Sequence, residues 1–313
     1  MGYYWAFKSL SALSSVLPRF IPYSISVPLS ELYYLLDGTA RRCVASNLKT
    51  VLGPQATPAE IRRQSRRAFR SFGRYLCEFF NAGPRSVDFV DNHVHVTGRE
   101  NLDAALAGGK GCFFVSGHYS NWEMGAFKVG RLGYPIVAFT LAHDDKKVND
   151  LFVSRRAAYG VSVMHTHGGV RPVLRALREN KPVAMLGDRT TGGPTVRVRL
   201  CGRETEFPQG PWRMAAETGT PILPTFMIRR ADGGYDLRIG AALNASRVED
   251  KQACAIQLAQ DWAHAFENML MEDPSQWTVF KPVWSDGPKV GLVAEKTESL
   301  RAPVTIPLGA EAR

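Results

Sequence analysis

The sequence predicts an α/β fold: a mixed, mostly parallel sheet flanked by helices on both faces, preceded by an N-terminal amphipathic helical segment. Three observations carry this expectation. From about Val94, short apolar runs alternate with stretches of helical periodicity, the pattern of a layered α/β domain. The chain has 313 residues and is 45% hydrophobic, enough to bury a sizeable core. The first 37 residues are unusually rich in aromatic and aliphatic side chains and stand apart from the rest of the chain.

In chain order, residues 1–37 come first. Tyr3, Tyr4, Trp5, Phe7, Leu10, Leu13, Val16 and Leu17 follow helical spacing. A spanning helix needs about 20 apolar residues in a row. Lys8, Arg19 and Glu31 interrupt the run, and Pro18, Pro22 and Pro28 are expected to break any long helix. No small-residue cleavage site comes after it, so no secretory signal is expected. Ala6 stands where a myristoylation pattern wants Ser or Thr, so Gly2 is not expected to be acylated. The segment reads as a membrane-associating interfacial anchor with its aromatic residues at headgroup level; the alternative is an amphipathic helix packed on the core.

The main domain is expected over residues 38–285. Thr57-Pro58-Ala59-Glu60 offers a capping box with proline at the first helical position. Ile61, Ala68, Phe69, Phe72, Leu76, Phe79 and Phe80 continue it as one apolar stripe. Arg63, Arg67, Arg70 and Arg74 line another face, beside Arg62 and Arg66. That face is either simply solvated or meets lipid headgroups or an acidic carrier protein. Strands are expected at Cys112–Ser116, Ile136–Thr140, Val161–Met164, Val183–Leu186 and Ile222–Ile228, with helices near 122–131, 146–159 and 170–179 between them. Thr195–Leu200 and Tyr235–Ile239 alternate apolar and polar residues and read as more exposed strands. Gly210 and Pro211 open a helix, and another is expected near 251–271. After Trp284 the apolar pattern ends, and residues 286–313 are expected to form a flexible tail.

Lys and Arg outnumber Asp and Glu by 39 to 29, a formal charge of +10. Such a surface favours an anionic partner: nucleic acid, an anionic bilayer or an acidic protein. The five cysteines are scattered with no C-x-x-C pair, which argues against a disulfide framework or a cysteine zinc site and fits a reducing compartment. His165 and His167 would share one strand face, as would His93 and His95, but neither pair has a third ligand nearby, so no metal is expected.

The chemistry-bearing segment is Ser116-Gly117-His118-Tyr119-Ser120-Asn121-Trp122-Glu123. A buried strand ends at Gly117, so His118 sits at a strand's C-terminal end, where open α/β sheets bind ligands. A helix begins at once, with Ser120 as the expected N-cap and Glu123 at its third position. A strand–turn–helix brings His118 and Glu123 together, although a continuous helix would not. A neutral imidazole can remove a proton from an alcohol. A carboxylate on its other nitrogen fixes the tautomer and stabilises the imidazolium. Free amides at the helix N-terminus offer an oxyanion site. The competing reading is a loop histidine beside a helix capping box.

This segment resembles the H-x4-D/E signature of the lysophospholipid acyltransferase superfamily. The chain as a whole resembles the bacterial lipid A late acyltransferases and their relatives that acylate mannosylated phosphoinositides. Further blocks occur in the family's order over roughly residues 5–285. They are Arg42-Cys43-Val44-Ala45-Ser46-Asn47-Leu48, Arg156-Ala157-Ala158-Tyr159-Gly160, Asp188-Arg189, Phe207-Pro208-Gln209-Gly210-Pro211, and Pro274-Ser275-Gln276-Trp277 with Trp284.

The resemblance implies an O-acyltransferase without a cofactor, with His118 as general base and Glu123 as its partner. Asn121, Arg156, Asp188, Arg189, Gln209 and Gly210 would contact substrate. Arg156 and Arg189 would hold anionic groups of acceptor or donor, for which guanidinium is suited, unless they form structural ion pairs. The donor would be acyl carrier protein or acyl-coenzyme A. The acceptor would be a membrane glycolipid, foremost a lipid A precursor, with a phosphoinositide mannoside as the alternative. Gln209 stands where glycerolipid enzymes have Glu, which argues against glycerol-3-phosphate. The place of action would be the cytoplasmic face of the bacterial inner membrane, against an anionic bilayer surface. A non-catalytic peripheral membrane protein would have no use for the His–Glu pair. Nucleic-acid binding would explain the charge but not the motif.

Overall fold

The computed structural model describes residues 20–81, 84–190, 192–245 and 250–288. Residues 1–19, which hold most of the expected anchor, and the expected tail from residue 289 onward lie outside them.

A seven-stranded mixed sheet organises the fold. Its strands are β1 (Val94–Thr97), β2 (Cys112–Ser116), β3 (Val137–Thr140), β4 (Ser162–His165), β5 (Pro182–Leu186), β8 (Ile222–Arg229) and β9 (Tyr235–Ile239). The spatial order is β1-β9-β8-β2-β5-β3-β4. Strands β8, β2, β5, β3 and β4 are mutually parallel. Strand β9 turns back antiparallel to β8, and β1 pairs parallel with β9. A separate antiparallel hairpin joins β6 (Thr195–Leu200) to β7 (Arg203–Pro208).

Among the described residues, ten helices surround these strands: α1 (Phe20–Leu36), α2 (Gly38–Leu52), α3 (Pro58–Phe80), α4 (Pro84–His93), α5 (Arg99–Ala107), α6 (Trp122–Arg131), α7 (Lys146–Ala157), α8 (Arg171–Arg178), α9 (Gly210–Thr218) and α10 (Lys251–Glu272). The expected α/β class, the five apolar strands and the two alternating ones are all present.

The period of two along each central strand divides the core. Phe113 and Val115 point into one cluster with Trp212, Trp262 and Phe266 of α9 and α10. Cys112 and Phe114 point into the other, with Phe79, Phe127 and Phe152 of α3, α6 and α7. Helices therefore cover both faces, and β2 is buried from Cys112 through Val115. Four parallel strands, β2, β5, β3 and β4, end on the same sheet edge, and the loops after them converge there.

Two sequence expectations change. Pro28 was expected to break a helix, yet α1 runs through it. The ring removes one helical hydrogen bond, and packing on α3 outweighs that loss. Tyr34 stacks edge-on against Phe69 at 5.2 Å, and Glu31 pairs with Arg66 and Arg70. The Arg face of α3 is thus partly consumed inside the protein, with Arg67 bound to Asp273 as well. Strand β7 went unrecognised because its sequence, RETEFP, carries three charges. Its place as a strand comes from pairing with β6 across all six residues and from Phe207, which enters the core.

Candidate active site

His118 follows β2 through Gly117, at the sheet edge where the parallel strands end. A side chain at 117 would lie 2.7 Å from the ring of Phe266 and 3.3 Å from the carboxylate of Asp188. Only glycine lets the turn pass that close to α10. Asp188 leaves the neighbouring parallel strand β5, whose Leu186 is in register with Ser116. Adjacent strand ends thus bring together two residues that are 70 apart in sequence.

The imidazole Nδ1 of His118 lies 2.7 Å from Asp188 Oδ1. Asp188 Oδ2 accepts from the His118 backbone N–H at 2.9 Å and from the Trp277 indole N–H at 2.9 Å. Asp188 is 1% exposed. Burial pushes its carboxyl upward, but His118 and the Trp277 indole outweigh this and hold it below the usual carboxylate range. An ionised Asp188 accepts the Nδ1–H, which in the neutral imidazole makes Nε2 the unprotonated nitrogen. His118 borders a cavity of about 410 Å³, so a basic nitrogen is presented to its contents.

The turn is held from behind by the segment after α10. Ser120 N–H donates to Gln276 O, and both Thr278 N–H and its hydroxyl donate to His118 O. The Tyr119 hydroxyl donates to the carbonyls of Met269 and Asp273. Ser120 adopts φ 56° and is buried, a conformation that costs about 1–3 kcal/mol in a non-glycine residue. The residues around it impose that cost. Ser120 is therefore not the cap of α6. Asn121 is, accepting from Met124 N–H.

The expected contact between His118 and Glu123 is absent. Glu123 lies in the first turn of α6 and binds Arg156 of α7 through both oxygens, at 2.9 and 2.5 Å. Side-chain exposures of 9% and 7% make this a buried ion pair. Glu123 offsets the burial of the guanidinium and raises its pKa. Arg156 also lies over the rings of Phe79 and Phe152. The two residues expected to serve His118 and an anionic substrate instead neutralise each other, tying α6 to α7 on the cavity wall.

Asn121, expected at the substrate, is 1% exposed. Besides capping α6, its amide donates to Glu78 at 2.8 Å. Its polar atoms are spent inside the protein because Glu78 is itself buried with Arg229. That carboxylate accepts from Tyr23, Tyr235 and both Arg229 nitrogens. Gln209 turns outward to Gln252 at 2.8 Å, while Gly210 and Pro211 border the cavity. Arg189 also borders it; its Nε is buried without a hydrogen-bond partner, and it has no ion pair among the described residues. It is the predicted site cation that remains available to an anionic group.

Sequence reasoning missed three groups here. Trp277 was read only as part of a closing block, not as a donor to Asp188. Trp122 sits edge-on to the His118 ring at 5.2 Å. His143, on the loop after β3, borders the cavity, and burial together with Arg156 lowers its pKa. No local pattern marks their roles: Trp277 and His143 are brought in by loops distant in the chain, and Trp122 opens α6.

Away from this polar mouth the cavity is apolar. It runs between α6 and the sheet, past Phe114, Ile136, Ala138, Met227 and Leu237. Gly125, inside α6, opens the way: a Cβ there would stand 3.2 Å from Leu237 Cδ1. Glycine inside a helix costs roughly 0.5–1 kcal/mol relative to alanine, and here it leaves room for a cavity. An apolar chamber bordered by His118 suits a hydrocarbon chain with its reactive carbonyl beside the imidazole.

Residues 1–286 match the family of the bacterial lipid A biosynthesis acyltransferases. Two curated relatives, from two strains of Mycobacterium tuberculosis, are each 30% identical over 273 residues, covering 82% of this chain and 78% of theirs. A third, from Mycolicibacterium smegmatis, is 27% identical over 248 residues, covering 76% of this chain and 77% of its own. All three are named phosphatidylinositol mannoside acyltransferases. With the match spanning the sheet, the His118 turn and the closing Trp277 segment, the chain belongs to the bacterial lipid A biosynthesis acyltransferase family and is an acyltransferase.

Proposed function

We propose that the protein moves a fatty acyl chain from a thioester donor to a hydroxyl of a mannosylated phosphoinositide, using His118 as general base and Asp188 as the group that orients it. The single observation that carries this reading is the His118 Nδ1–Asp188 Oδ1 contact of 2.7 Å at the mouth of an apolar cavity.

In this mechanism the donor's acyl chain fills the cavity between α6 and the sheet. His118 Nε2 takes the proton of the acceptor hydroxyl as its oxygen attacks the thioester carbonyl. Asp188 stabilises the imidazolium that forms. When the tetrahedral intermediate collapses, the carbon–sulfur bond breaks and the imidazolium returns its proton to the leaving thiolate. No covalent acyl-enzyme is needed. Arg189, the cation on the wall, binds a phosphate of donor or acceptor. Acyl carrier protein and coenzyme A both supply a thioester on a phosphopantetheine arm, and both carry negative charge that suits the +10 chain. The reaction takes place at the cytoplasmic face of the inner membrane, where a lipid acceptor and a soluble donor meet.

The names of the curated relatives favour a phosphoinositide mannoside as acceptor. The family description favours a lipid A precursor as the second reading. Purified protein incubated with a labelled acyl thioester and each glycolipid in turn separates the two, with mass spectrometry of the products. Transfer to the mannosylated phosphoinositide, lost in His118→Ala, is the expected result. Transfer to the lipid A precursor alone would overturn the acceptor, and near wild-type turnover by His118→Ala would overturn the base.

A further inference from the structure

Glu78 is a buried carboxylate that the proposed chemistry does not use. It lies on α3, and its side chain is 1% exposed. Arg229, the last residue of β8, binds it through two guanidinium nitrogens, at 2.7 and 3.0 Å. The hydroxyls of Tyr23 and Tyr235 donate to the same carboxylate. Arg229 also lies over the Tyr235 ring, 4.6 Å from its centroid. A buried ion pair is a poor source of stability, because desolvation of the two charges offsets most of their attraction. What such a pair does supply is a fixed anchor for the groups that hydrogen-bond to it.

The groups held by this pair reach the His118 turn from two sides. On one side, Asn121 Nδ2 donates to Glu78 Oε2 at 2.8 Å, while its Oδ1 caps α6. On the other, the Gln276 side chain accepts from the Arg229 backbone N–H at 2.8 Å and donates to the Arg229 carbonyl at 3.1 Å. The Gln276 carbonyl in turn accepts from Ser120 N–H at 2.7 Å. Ser120, the residue at φ 56°, directly precedes Asn121. A strained backbone persists only where its surroundings over-determine it. Here two consecutive residues of the turn are tied, by separate routes, to one ion pair.

Helix α3 braces the next residue as well. Tyr75, one turn before Glu78, stacks on Trp122 at 4.4 Å, and Trp122 lies edge-on to the His118 ring. Neither Glu78 nor Arg229 borders the cavity, so both act on the site through other residues.

The geometry points to Glu78 and Arg229 as positioning residues: through Asn121 and Gln276 their ion pair sets the turn 118–121, and with it the place of the His118 imidazole. This rests on His118 as the base only for its kinetic consequence, and the ring can be observed without turnover. In protein carrying isotope-labelled histidine, the His118 imidazole resonances should move in Glu78→Gln and in Asn121→Ser. Serine still caps α6 but is too short to reach Glu78, so the second variant cuts the link and leaves the ion pair whole. Circular dichroism establishes that each variant is folded. On folded protein kcat should fall by about 10²-fold in both, with KM within a few-fold of wild type. Glu78→Gln/Asn121→Asp exchanges carboxylate and amide and keeps their hydrogen bond. It should regain about tenfold of the loss. Wild-type His118 resonances, or wild-type kcat, in folded Asn121→Ser overturn the proposal. So does a loss of kcat in the exchange variant equal to the product of the losses in Glu78→Gln and Asn121→Asp. Failure of the base reading is seen separately, as wild-type turnover by His118→Ala.

Discussion

Asp188, bound to His118, and Glu123, on the cavity wall, are both buried carboxylates, and they face different partners. Asp188 faces an imidazole, a group able to gain and lose a proton near neutral pH. Glu123 faces a guanidinium, which does not give up its proton. The first pair can therefore change charge during a reaction, and the second cannot. Its work is to hold α6 against α7 and to remove two charges from an otherwise apolar wall. Closeness to His118 in sequence is thus a poor guide to electrostatic role: Glu123 is its near neighbour in the chain, whereas Asp188 is 70 residues away.

The largest expected effect tests that division directly. Asp188→Asn removes the charge that stabilises the imidazolium and favours the wrong tautomer. It should lower kcat by about 10²–10⁴-fold with little change in KM. Steady-state kinetics on folded protein check this, and kcat within a few-fold of wild type would remove Asp188 from its side of the contrast.

Next comes the second carboxylate. Glu123→Gln leaves Arg156 buried without its counter-charge, which should cost about 3–5 kcal/mol of stability, while kcat per folded molecule stays within about tenfold. Thermal denaturation and active-site-normalised kinetics read the two separately. A collapse of kcat at unchanged Tm would assign Glu123 to the chemistry after all.

A third buried carboxylate extends the contrast through pH. Burial pushes Glu78 upward, but Arg229, Tyr23 and Tyr235 outweigh it and bring its pKa from 4.5 down to about 2. As pH falls, the unfolded chain takes up the proton first. The stabilisation from Glu78 is thus complete above pH 4.5 and is lost between there and about 2. The loss is about 3 kcal/mol. Chemical denaturation across that window should show it, and Glu78→Gln should flatten that part of the slope.

The smallest effect sharpens the contrast from the apolar end. Gly125→Met fills the cavity near Leu237 and touches neither carboxylate. It should shorten the preferred acyl chain while turnover with short-chain donors stays within a few-fold of wild type. Product chain length by mass spectrometry checks this, and an unchanged chain-length preference would place the hydrocarbon elsewhere.

Much of the fold was legible because its signals are local. The apolar runs 112–116 and 222–228 and the alternating runs 195–200 and 235–239 carry their own burial pattern. The Thr57 cap and Pro58 mark the start of α3, and Thr57 does accept from Glu60 N–H. His118 was legible for the same reason, as a histidine placed where a buried strand gives way to a helix. Helix α1 was misread because the helix-breaking tendency of Pro28 is local, whereas the contacts with Phe69, Arg66 and Arg70 that outweigh it are not.

The sequence by itself determined the α/β class, the strand set, the position of His118 and the family's ordered blocks. Only the tertiary structure decided which carboxylate serves the histidine. Parallel pairing of β2 with β5 sets the ends of two distant strands side by side, and the Trp277 indole fixes Asp188 in place there. It also decided that Glu123 and Arg156 neutralise each other and that the Asn121 side chain caps α6 and binds Glu78. The physical reason is common to all three. A charged or amide side chain's role is set by whichever opposite charge or hydrogen-bonding group shares its low-dielectric surroundings, and that neighbour is chosen by how strands and helices pack.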